Sequence, residues 1–120
     1  MSVIATLLVL AVAAIHVYIL VLEMFLWRTE RGRRAFGTDQ AFADASATLA
    51  ANQGLYNGIL AAGLIWGAVA ADPVGFQVKV FFLVAVAVAG LYGAATVNRR
   101  ILLVPTVPAI LALIAVLLAQ

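Results

Sequence analysis

Between its charged connections the chain runs nearly uncharged for about 20 residues at a time, near 3–27, 48–70, 78–97 and 101–119. A helix needs about 20 mostly apolar residues, at roughly 1.5 Å each, to cross a bilayer. Each stretch therefore reads as a membrane span. The predicted fold is all-α: an integral membrane bundle of four transmembrane helices forming one domain over residues 1–120. Composition agrees, with 67% of residues hydrophobic and 10% charged. Soluble domains hold about 45–50% apolar and about 25% charged residues.

The first stretch has no basic segment ahead of it and carries His16 and Glu23 where a secretory leader is apolar. It reads as a retained helix. The absence of cysteine removes disulfides, thiolate metal sites and cysteine nucleophiles.

The connections are "RTERGRRAFGTDQAFADASAT" (28–48), "ADPVGFQ" (71–77) and "NRR" (98–100). The first is long enough for a short interfacial helix anchored by Phe36 and Phe42. Asp44 or Ser46 is placed to cap the second span. Asp72, Pro73 and Gly75 form a turn signal, and Lys79 just beyond it is expected to snorkel at the interface.

Arg28, Arg31, Arg33, Arg34, Arg99 and Arg100 fall in the first and third connections, leaving Lys79 alone on the other side. This bias predicts a cytoplasmic location for the arginine-rich connections and puts both termini on the non-cytoplasmic side. The expected location is a cell membrane, multi-pass, with a bacterial inner membrane as the leading case. Beside a span, an arginine run is ordinary topology signalling, so no nucleic acid is expected as a partner.

His16, Glu23 and Trp27 follow at spacings of seven and four, within one stripe of a helix turning about 100° per residue. Ionisable groups at membrane depth face a bundle interior or a watery cavity. The second span, entering from the same side, brings Asn52 and Gln53 to the depth of Glu23, and Tyr56 and Asn57 toward His16. Gly54, Gly58 and Ala62 repeat every four residues on a separate flank, a small-residue pattern that admits a neighbouring backbone.

His16, Glu23, Asn52, Gln53, Tyr56, Asn57 and Tyr92 thus form the candidate ligand pocket, with Asn98, Arg99 and Arg100 at its mouth. Such groups also serve as plain hydrogen bonds between membrane helices, worth about 0.6 kcal/mol each. No metal site is expected, since one histidine and one glutamate supply too few ligands. No hydrolase triad, phosphate loop or dinucleotide fingerprint is present, so no cofactor is expected and no reaction is assigned. Pro105 and Pro108 predict a bend near the start of the fourth span.

"HVYILVLEMFLW" (16–27), "LAANQGLYNGILAAGLIWG" (49–67) and "GLYGAATVNRRILL" with "PAILAL" (90–113) resemble the small integral-membrane family named domain-of-unknown-function family 1304. The resemblance covers nearly the whole chain. It implies that His16, Glu23, Asn52, Gln53, Tyr56 and Asn57 are signature positions, and it brings no reaction. That family is expected to carry a polar residue shortly before the proline of its fourth helix, where this chain has Pro105.

Three functions compete at this stage. The first is a cytoplasm-facing pocket for a small amphipathic or lipid-like ligand. It has a fold-level likeness to the membrane-associated eicosanoid and glutathione metabolism family, whose second-helix arginine and glutamate have no match near Asn52. The second is a small proton-coupled transporter. Its likeness to the small multidrug resistance family is opposed by the position of Glu23 near a helix end and by the one-sided arginines. The third is a structural or assembly subunit. The expected partners are the lipid bilayer, a further copy of the chain in a dimer or trimer, and an amphipathic small molecule.

Overall fold

The computed structural model describes residues 2–96 and 99–120, and at 99–102 the backbone alone. The described residues form five helices: α1 (Val3–Met24), α2 (Glu30–Phe36), α3 (Gln40–Val69), α4 (Val74–Thr96) and α5 (Arg99–Leu118). Helix α3 packs on α1 and α4, while α5 packs on α4 and α1.

The all-α expectation stands, but that of four transmembrane helices does not. The connection after α1 contains an element of its own, α2. Thr29 caps it by accepting from the Gly32 amide, and Gly37 ends it at φ 68°. The amides of Gly37 and Thr38 both return to the Arg33 carbonyl, which fills the acceptors left open at a helix end. Among the described residues, only α1 and α4 are long and apolar enough to cross a membrane by length and composition. Helix α3 has the length, at 30 residues, but between its start and Asn57 it carries Asp44, Ser46, Thr48, Asn52, Gln53 and Asn57. The described apolar part of α5, Leu103–Leu118, is shorter.

Buried side chains amount to 28% and 33% of the apolar windows of α1 and α4. The core helix of a soluble protein would be mostly buried. Large apolar groups such as Leu7, Phe81, Val88 and Leu91 instead point outward. These features support membrane localisation. Helix α1 is also a working part of the packing, since Ala5, Val9, Val12 and Ala13 join Leu64, Leu83, Val86, Ala109 and Val116 in the interior. Lipid is as apolar as leucine, so close fit between backbones holds such helices together rather than escape from water.

That fit depends on glycines. A Cβ added at Gly54 would lie 2.6 Å from Met24 Cγ and 3.1 Å from Glu23 Cβ, and one at Gly58 would lie 2.6 Å from Leu20 Cδ1. Helix α1 therefore runs antiparallel against α3 at near-backbone distance. Ala62, the third member of the expected stripe, is exposed. A second pair, Gly63 and Gly67, meets Phe82 and Lys79 of α4. Each half of α3 thus packs on a different neighbour. Lys79 is buried with its stem against Gly67, and does not snorkel outward.

The start of α3 also differs from expectation. Asp39 caps it, accepting from the Phe42 amide at 2.8 Å, so Asp44 and Ser46 lie inside the helix. Asp44 accepts instead from Arg28 Nε and Gln40 Nε2, both at 2.8 Å. Trp27 lies beyond the end of α1, where its indole donates to Ser46 Oγ at 3.1 Å and its ring meets Phe36 with centroids 4.9 Å apart. Gly32 presses on the Leu26 carbonyl. Helix α2 is thereby fastened over the end of the α1–α3 pair.

Candidate functional site

The close approach at Gly54 decides where Glu23 goes. With α1 against α3 at that glycine, the Glu23 carboxylate reaches Asn57, three residues further along α3. Asn57 Nδ2 donates to Glu23 Oε1 at 2.7 Å and to the Gln53 carbonyl at 3.1 Å. The His16 ring is buried two turns deeper on α1, about 10 Å by helical rise. Its Nδ1 lies 2.8 Å from the Val12 carbonyl. A carbonyl only accepts, so Nδ1 carries the proton and Nε2 of the neutral ring is an acceptor.

His16, Glu23, Gln53 and Asn57 share the wall of a cleft of about 780 Å³. Its remaining walls are largely apolar: Ile15, Ile19 and Leu22 from α1, Leu60 from α3, Val86 and Ala89 from α4, and Val104 and Pro105 from α5. Ala35 and Phe36 bring α2 to its rim. The volume lies within the roughly 300–1,000 Å³ range of small-molecule sites, and an apolar wall with few convergent polar groups is their usual character.

The other expected pocket residues lie elsewhere. Asn52 and Tyr56 are exposed on α3 outside the cleft. Tyr92 is exposed on α4 and lines a separate shallow groove with Phe81, Val84 and Val88. Asn98 and the side chains of Arg99 and Arg100, the expected mouth, lie outside the described residues. Among the described arginines, Arg28 pairs with Asp44 and Arg34 with Glu30, both on the outer surface.

Sequence reasoning missed Tyr18, Gly90 and Val104 as wall residues. Gly90 carries a readable signal as a glycine inside an apolar run of α4. It sits where a side chain would collide with Thr106 of α5, so it sets the α4–α5 spacing beside the cleft. Phe36 and Pro105 were noted for anchoring and bending, and their place on the cleft wall depends on tertiary packing.

At the surface end, the Gln40 amide and the Arg28 guanidinium both donate to Asp44 and hold its carboxyl below the ordinary aspartate range. This group fastens the α1–α2 connection to α3 and does not line the cleft.

Comparison with known proteins gives the chain's family. Along 116 residues it is 34% identical to "Uncharacterized protein YpaA" of Lactococcus lactis subsp. lactis (strain IL1403), covering 95% of this chain and 97% of that one. No solved structure matches. The family model described as "Protein of unknown function (DUF1304)" matches residues 10–117, and the chain belongs to that family.

Proposed function

We propose that this protein is a multi-pass protein of the cell membrane that binds a small amphipathic molecule in the cleft between its long helices. The observation that carries this reading is the Glu23–Asn57 hydrogen bond at the polar end of an apolar-walled cleft. A carboxylate at membrane depth is costly and is characteristic of functional sites. Purely structural glue would need neither the cavity nor a second polar group, His16, facing it.

Arg28, Arg31, Arg33 and Arg34 gather at the same end as Glu23. By the positive-inside rule that end faces the cytoplasm, so the polar head of a ligand would be reached from there. Self-association, as a dimer or trimer, belongs to the same proposal. Tyr56 and Tyr92 are 57% and 71% exposed, and a second copy offers partners for their hydroxyls in lipid.

Native mass spectrometry of the protein in lipid nanodiscs tests this reading. The wild type is expected to carry a small bound species of non-bilayer mass. An Ala89→Trp variant, which fills the cleft from α4, is expected to lose it while keeping helical circular dichroism. An empty wild type, or equal loading of both proteins, overturns the reading.

A further inference from the structure

The hydrogen-bonding capacity of the cleft is unbalanced. Both N–H bonds of the Asn57 amide are committed, one to Glu23 Oε1 and one to the Gln53 carbonyl. The imidazole proton of His16 is committed to Val12. What these groups still offer is acceptors: the second Glu23 oxygen, Asn57 Oδ1 and His16 Nε2. Against these stands the side-chain amide of Gln53.

Charge is unbalanced in the same sense. Among the described residues, no lysine or arginine lines the cleft, whereas Glu23 does. Arg28 and Arg34 are held outside by acidic partners of their own. A fatty acid or phosphorylated lipid would set a second anion beside Glu23 with one amide to receive it.

We propose that the cleft takes an amine, a small cationic amphiphile whose ammonium group donates to Glu23 and Asn57 while its apolar chain lies along Ile19, Leu60 and Val86. This rests on the cleft being a ligand site. An ammonium supplies up to three N–H donors and the missing positive charge, and at Glu23 and Asn57 the cleft supplies two open acceptors, one of them on the carboxylate.

Decylamine, decanol and sodium decanoate share one chain and differ in head group. At pH 7 decylamine is an ammonium ion, as a lysine amine is with its pKa of about 10.4. Thermal unfolding is followed with each probe in phosphatidylcholine nanodiscs, for the wild type, Glu23→Gln and Ala89→Trp. Decylamine is expected to stabilise the wild type saturably, at concentrations at least about tenfold below those needed of decanol or decanoate. Glu23→Gln should weaken decylamine by about tenfold or more, a loss of at least about 1.4 kcal/mol, and leave decanol unchanged. Ala89→Trp should abolish the effect of all three.

Equal potency of decanol or decanoate in the wild type overturns the amine assignment, as does a decylamine response unchanged by Glu23→Gln. In either case, sensitivity to Ala89→Trp keeps the cleft as a ligand site. A response indifferent to Ala89→Trp, or none from any probe, overturns both. If Glu23→Gln fails to assemble, the ranking of the three probes on the wild type decides alone.

Discussion

Asn57 of α3 donates a 2.7 Å hydrogen bond to Glu23 of α1, joining helices 34 residues apart in sequence. The pair exists because Gly54, expected on a separate flank, faces Glu23 as Asn57 does and lets the α1 backbone come close enough. A double-mutant cycle with Glu23→Gln and Asn57→Leu in mixed micelles measures its worth. A coupling of about 0.5–1.5 kcal/mol is expected, in the range of hydrogen bonds between membrane helices. A coupling indistinguishable from zero would mean that the two groups do not meet.

Enlarging Gly54 should be more harmful than removing the bond it permits. An added methyl lies 2.6 Å from Met24 Cγ, and the nearby Glu23 Cβ is fixed to the α1 backbone. Gly54→Ala is expected to cost about 1–3 kcal/mol, as overpacking does, and Gly54→Leu to separate α1 from α3. Gly37→Ala acts differently: nothing surrounds its Cβ position, but its φ of 68° disfavours a side chain. A loss of about 1–2 kcal/mol is expected there, confined to α2 and visible as faster hydrogen exchange of Gly37 and Thr38. Denaturation curves that rank Gly37→Ala above Gly54→Leu in damage would contradict this packing.

Asp44 predicts an acid-sensitive clasp between the α1–α2 connection and α3. Hydrogen bonds from Gln40 and Arg28 depress its folded pKa, so the ionised form is the one stabilised. The contribution is therefore present above the unfolded aspartate pKa of about 3.9. It is lost as pH falls through the lower folded value. Carbon-detected NMR should find the Asp44 midpoint below the ordinary aspartate value of about 3.9, and Asp44→Asn should remove the acid-induced change in Trp27 fluorescence. The pair is solvent-exposed, so the effect should shrink in high salt.

Much of this was legible because apolar runs locate long helices whatever their packing. That polar groups of α3 would face Glu23 was legible from depth on antiparallel helices, but the register was not: Asn57, expected near His16, is the residue that meets Glu23. Helix α2 was harder: seven residues of mixed charge show no apolar period, although Thr29 and Gly37 bracket them as caps. The first turns of α3 read as loop because Gln40, Asp44 and Ser46 are polar, and their helix is held by Asp39 and the Arg28 contact. The outward placement of Tyr56 and Tyr92 was not legible. Small residues lie on more than one flank of α3, and hydropathy alone does not say which flank meets α1. The burial of Lys79 likewise depends on the space that Gly67 leaves across the α3–α4 interface.

If the space between α1, α3, α4 and α5 binds a ligand, its wall should respond to one. Methyl NMR of the wild type in lipid nanodiscs, titrated with decylamine, reads that response. Saturable shifts are expected at the wall methyls of Ile15, Ile19, Leu60, Val86 and Val104, with the outward methyls of Leu7, Leu91 and Leu117 unmoved. Shifts spread evenly over the outward methyls, or no saturable shift at the wall, would contradict binding there.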